Sequence, residues 1–173
     1  MLTLHTKLDN AANIDGELVL PYELREKSRL RALLLSGEEV AVFTVRGTVL
    51  RHGDLLKGDD GRVVRIAAAK EATYRVECAT PRDLLRCAFH LGNRHTQAQV
   101  DGSADKAFLR IRKDTVLKDM LEGLGATVTE EQAPFEPESG AYGAGHHHHG
   151  DDHHHPLAPI PLRQKIHRPS DKS

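Results

Sequence analysis

Thr73-Tyr74-Arg75-Val76-Glu77-Cys78 alternates polar and apolar residues, and Thr80-Pro81-Arg82-Asp83 follows almost at once. The first stretch predicts a strand with one face in water. The second predicts a helix start, with Thr80 as N-cap, Pro81 in the first turn and Asp83 beside the positive end of the helix dipole. Leu84, Leu85, Ala88 and Leu91 then recur at helical spacing, and Gly92 is expected to end the run. Gln97 to Val100 reads as a short strand, Asp101-Gly102 as a turn, and Ala107 to Arg112 as a further strand. Asp114 or Thr115 caps a second helix whose apolar face is Leu117, Met120, Leu121 and Leu124, with Gly125 as its stop. Ala126-Thr127-Val128-Thr129 closes the series. Strand–helix–strand–strand–helix–strand is the split βαβ, ferredoxin-like plan, in which four antiparallel strands carry two helices on one face.

Upstream, short apolar runs alternate with turns. Gly16 to Leu20 ends at Pro21, Arg29 to Leu35 meets Ser36-Gly37, Glu39 to Val45 meets Arg46-Gly47, and Asp59-Asp60-Gly61 precedes Val63 to Ile66. Turns at this frequency predict a small all-β domain. Downstream of Gln132 the chain becomes proline-punctuated and then rich in histidine and glycine. The expected architecture is therefore α+β: a β domain over 1–72, a ferredoxin-like domain over 73–133 and a flexible His-rich tail over 134–173. The tail has too little apolar surface to offset its ordering entropy.

The whole chain has 173 residues and a formal net charge of −1. That balance, with 4% aromatics and no Trp, argues against nucleic-acid binding and base stacking. The start lacks a basic region followed by an apolar stretch, and the apolar runs fall short of a membrane span, so the expectation is a cytoplasmic protein without a membrane partner. Cys78 and Cys87 are too few for a disulfide scaffold, and their spacing is wrong for a zinc knuckle or a C-x-x-C pair. The excess lies in histidine. Of twelve, seven fall in His146, His147, His148, His149, His153, His154 and His155, interrupted by Gly150-Asp151-Asp152.

Neighbouring neutral imidazoles chelate Ni²⁺, Cu²⁺ or Zn²⁺ without a preformed cage, and Asp151 and Asp152 can add oxygen donors. Protons compete for the same nitrogens, so binding should weaken as pH falls through the ordinary histidine range. Two plainer readings stand beside this one: a purification tag, against which the interruption and the eighteen residues after His155 speak, and a solvated low-complexity tail. His90 and His95 form a second feature. His90 falls in the last turn of the first helix, where a histidine cation suits the dipole. His95 lies beyond the glycine stop, and spacing alone reads it as a solvated surface residue. Cys87 and His90 share an i, i+3 spacing, more economically read as a small buried Cys than as a metal pair.

A resemblance adds to these readings. His90-Leu91-Gly92-Asn93-Arg94-His95, Val116 to Leu121, and Pro134-Phe135-Glu136-Pro137-Glu138-Ser139-Gly140-Ala141-Tyr142 before a histidine-rich end resemble the UreE family of urease accessory proteins. Arg46 to Asp54 and Asp59-Asp60-Gly61 are similar to that family as well. The resemblance covers nearly all of the chain up to Tyr142. It implies a nickel metallochaperone, not an enzyme. The implied assembly is a homodimer, which metal could extend to a dimer of dimers. It implies a peptide-binding-like N-terminal module and a C-terminal domain that dimerises. His95 would bind nickel at the interface, one from each protomer, with tail histidines completing the site. Delivery would run through the accessory GTPase UreG to the apo-urease complex. Family members often carry histidine between the third strand and second helix of this domain, whereas Arg112, Lys113, Asp114 and Thr115 offer none.

Other readings remain at this point. A nickel or zinc storage protein would use the tail alone. A peptide-binding adaptor would leave the histidines incidental. A metal-dependent hydrolase would need three fixed ligands with a general base, which the chain does not offer. Imidazole sites also accept Zn²⁺ and Cu²⁺, so nickel is carried by the resemblance.

Overall fold

The computed structural model describes residues 1–103 and 106–139. The N-terminal unit is built from β1 (Leu2–Leu8), β2 (Gly16–Leu20), α1 (Tyr22–Arg25), β3 (Arg29–Leu33), β4 (Glu39–Phe43), β5 (Leu55–Gly58) and β6 (Val63–Ala68). Its six strands form one mixed sheet in the order β2-β6-β5-β1-β4-β3. The β1–β4 and β2–β6 pairs are parallel and the others antiparallel. Past β3, the Leu35 N–H donates to the Glu17 carbonyl at 3.0 Å, which draws the two sheet edges together around one core. That core is Leu4, Leu18, Leu20, Val40, Val42, Leu50, Leu56 and Ile66, all buried. Leu18 and Leu20 on β2, and Val40 and Val42 on β4, lie two positions apart, which turns each pair to one face of the sheet.

Two elements here were not legible in the sequence. β1 carries polar residues at every second position and reads as an unremarkable start, yet it sits between β4 and β5 near the centre of the sheet. α1 is a single turn set by Pro21, too short to show a period.

The C-terminal unit follows after Ala69. It comprises β7 (Lys70–Glu77), α2 (Pro81–Asn93), β8 (Ala98–Asp101), β9 (Phe108–Arg112), α3 (Thr115–Gly123) and β10 (Thr127–Pro134). The sheet order is β10-β7-β9-β8, with every pair antiparallel. Tyr74, Val76, Leu109 and Ile111 meet Cys87 and Leu91 of α2 and Leu121 of α3 in a single buried cluster, so both helices cover the same face of the sheet. Gly102 takes φ +95° in the turn after β8, where an added Cβ would lie 2.2 Å from the Lys106 carbonyl oxygen. Only glycine fits there. No helix of the described residues is long and apolar enough to cross a membrane.

The helix starts form as read. Thr80 Oγ1 accepts from the Asp83 N–H at 3.2 Å, and Asp114 Oδ1 accepts from the Leu117 N–H at 3.0 Å. One helix end differs. α2 runs through Gly92 to Asn93, because the left-handed residue that closes it lies three positions later.

The tail boundary differs as well. Pro134 belongs to β10, which pairs with β7 over eight residues, and Phe135 is completely buried. The reason is a clamp around Arg25, itself without exposed surface. Its guanidinium donates to the carbonyls of Leu20 at 3.2 Å, Leu50 at 3.2 Å and Phe135 at 2.6 Å, and pairs with Glu136. Arg51 donates to Glu136 at 3.2 Å, the Pro137 carbonyl at 2.8 Å and Ser139 Oγ at 2.9 Å. The His52 N–H donates to Glu136 at 3.1 Å, and Tyr22 meets the Phe135 ring edge-on at 5.6 Å between centroids. The stretches 46–54 and 134–142, which carried part of the resemblance, therefore meet through residues 51–52 and 135–139 and lock the two units together.

Arg25→Met is expected to cost about 3 kcal/mol, since three buried carbonyls lose their donor and Glu136 loses its buried partner. Arg25→Lys should recover only part of this, because an ammonium cannot reproduce the planar fork. Urea unfolding of the metal-free protein measures both.

Candidate metal site

The last turn of α2 presents His95. The His95 N–H donates to the Gly92 carbonyl at 2.9 Å, and the Thr96 N–H reaches back to the Leu91 carbonyl at 3.1 Å. This is the Schellman closure, whose C′ residue must be left-handed. His95 occupies that position at φ 53°, alone among the non-glycine residues described. α3 closes identically: the Gly125 N–H donates to Glu122 at 2.9 Å, the Ala126 N–H to Leu121 at 3.0 Å, and Gly125 takes φ 93°. Two equivalent turns thus use glycine in one case and histidine in the other. A left-handed L-residue costs roughly 1 kcal/mol, which the turn around it must over-determine. His95→Gly should therefore leave the stability of the metal-free protein within about 1 kcal/mol of the parent, as denaturant unfolding would show. It removes the imidazole without disturbing the turn.

His95 is exposed. It lines a surface cleft of about 710 Å³ between the two units. Glu23 and Glu26 form the N-terminal wall; Arg94, Arg112, Lys113 and Asp114 lie on the C-terminal side. The histidine-free stretch noted in the sequence is therefore His95's immediate surroundings, and its groups are committed elsewhere. Arg112 donates to Gln97 Oε1 at 3.1 Å, Lys113 pairs with Glu130 at 2.5 Å, and Asp114 caps α3. Among the described residues no three His, Cys, Asp or Glu side chains converge closely enough to hold a metal ion. Among the described residues, then, His95 belongs to no group of three such donors.

Two features bear on what could complete it. The Glu138 N–H donates to the Ala98 carbonyl at 2.9 Å and the Glu136 N–H to Gln99 Oε1 at 2.9 Å. The segment leading to the histidine tract is thus anchored three residues from His95. On α2, Leu85 and Phe89 are 71% and 64% exposed, one turn apart on the helix that ends at His95. His90 lies half-buried, edge-on to Phe89 at 5.5 Å. Cys87 is fully buried, as the plainer reading expected. His146, His147, His148, His149, His153, His154 and His155 lie outside the described residues.

The family model described as the N-terminal domain of the UreE urease accessory protein matches residues 3–69, and that of its C-terminal domain matches residues 71–156. The chain belongs to the UreE family. Among similar UreE proteins, the urease accessory protein UreE of Janthinobacterium sp. (strain Marseille) is 76% identical over 173 residues, covering 100% of this chain and 99% of that protein. That of Nitrosospira multiformis is 68% identical, covering 99% and 98%. That of Ectopseudomonas mendocina is 51% identical, covering 84% and 86%. The first alignment spans the whole chain, the histidine tract included. UreE is a family of accessory proteins, and the two-unit architecture agrees with its two domain models.

Proposed function

We propose that this UreE chain is a nickel metallochaperone for urease maturation: it binds Ni²⁺ and passes it to the apo-urease complex with the accessory GTPase UreG. The observation that carries the reading is the placement of His95. It is an exposed imidazole held in a left-handed turn, with the segment leading to seven further histidines anchored beside it.

A lone imidazole cannot hold a divalent ion against water. A second copy related by a two-fold axis supplies another His95, and self-complementary contact is how such homodimers form. The exposed Leu85 and Phe89 offer apolar surface for that contact. His146 is seven residues beyond Ser139, a span of at most about 25 Å when extended, so tail imidazoles can reach the shared site and raise the local ion concentration. Metal could then join dimers into a dimer of dimers. Zn²⁺ and Cu²⁺ compete for the same donors, copper most strongly. We take 1–69 as the N-terminal unit, shorter than the expected 1–72 because β7 begins at Lys70, 70–134 as a ferredoxin-like metal-binding and dimerisation unit, 135–139 as its anchor and the remainder as the histidine-bearing tail. The protein acts as a carrier, not a catalyst, and works in the cytoplasm. A storage role without a urease target is not favoured by relatives named as urease accessory proteins.

The test is urease activity in a nickel-limited urease-positive host lacking this gene. Complementation with the intact chain should restore activity and co-purify the GTPase. Restoration of metal tolerance without restoration of urease would support storage instead.

A further inference from the structure

Cys78 and Cys87 have no part in the metal site, and their sequence interval suggests no pair. The fold brings their Sγ atoms to 3.8 Å. Cys78 is the first residue after β7, and Cys87 lies in the second turn of α2. Only Ala79 and Thr80 separate Cys78 from the helix start, so the turn folds α2 directly over the strand it leaves. Both partners are firmly placed. β7 is paired on both sides, by β9 and β10, and α2 is fixed by its Thr80 cap. Cys87 is fully buried, Cys78 half-buried, and both are free thiols in the cluster of Val76, Leu91, Leu109 and Leu121.

We propose that Cys78 and Cys87 are a dithiol–disulfide couple, closed by a hydroperoxide and reopened by a thiol reductant, that ties the end of β7 to α2. Forming a bond of about 2.05 Å needs the sulfurs to close by roughly 1.8 Å. Cys78, the more accessible thiol, loses its proton and attacks the terminal oxygen of the hydroperoxide. The O–O bond breaks, the alkoxide leaves as the alcohol with that proton, and Cys78 becomes a sulfenic acid. The Cys87 sulfur then attacks the Cys78 sulfur, the S–O bond breaks, and the hydroxyl leaves as water with the Cys87 proton. Two thiols and one hydroperoxide give one disulfide, one alcohol and one water; the thiols lose two electrons and the peroxide gains them.

The surroundings set the rate and not the product. Burial, the hydrogen bond with Cys87 and the Asp83 carboxylate push the Cys78 thiol up to about 12. Tyr74 is the other titratable member of the cluster, and the rest are apolar apart from the two thiols. Such a site opposes a thiolate but accepts a neutral disulfide.

The test uses the full chain, stripped of metal by a chelator and treated with hydrogen peroxide. The expected product is lighter by about 2 Da, with tryptic peptides 76–82 and 87–94 linked to each other and separated by dithiothreitol. Its formation should quicken by about tenfold per pH unit between 7 and 9, following the thiolate fraction. The thermal midpoint of the oxidised chain should rise and return on reduction. Cys78→Ser should fold, as its unfolding curve would show, and give no linked peptide. Thiols that stay unmodified where free cysteine is oxidised, sulfinic or sulfonic acids without the link, or a bridge between two chains would each overturn the proposal.

Discussion

Removing everything after Tyr142 is expected to leave a folded chain that has lost most of its nickel capacity. The folded part does not depend on the missing residues. Phe135 is buried, Glu136 and Ser139 are held by Arg25 and Arg51, and the two apolar clusters lie wholly upstream. The metal donors divide differently. Eight of twelve histidines lie beyond Tyr142, seven of them between His146 and His155, and between His95 and His146 there are none. The truncated protein should therefore bind about one ion per dimer, shared between two His95 side chains. Isothermal titration of the intact and truncated chains measures this, with unfolding curves as the control for folding. Undiminished stoichiometry would show that donors of the folded part had been missed.

The converse variant, His95→Ala, should keep most of the tail's capacity and lose the defined site. Urease activation under limiting nickel is expected to fall at least about tenfold, the effect of losing a principal ligand from a site of few donors. His95→Gly should behave in the same way, and because it suits the left-handed turn it separates loss of the imidazole from damage to the end of α2. Activation by the glycine variant, with failure of the alanine variant alone, would reassign His95 to a structural role.

The sequence revealed the C-terminal unit well because its signals are local. Thr80 and Asp114 cap helices through their own side chains, and alternation over Thr73–Cys78 fixes which residues face the helices. It misplaced the end of α2 because Gly92 resembles a stop, whereas the left-handed position fell on a histidine. Asn, Asp and His tolerate that region better than most residues, so a histidine three positions past such a glycine was the available signal. The clamp was illegible for another reason. Arg25 and Glu136 are 111 positions apart, and nothing local distinguishes a buried arginine from a solvated one. The Cys78–Cys87 contact was hidden in the same way, being made by a turn between strand and helix and by no motif spacing.

A structure of the full chain with nickel, located by its anomalous scattering, tests the account most directly. It predicts one ion on a two-fold axis between two copies of α2, with both His95 side chains coordinating it and remaining positions filled by tail histidines. Nickel bound by tail histidines alone, with the two His95 side chains apart, would contradict it.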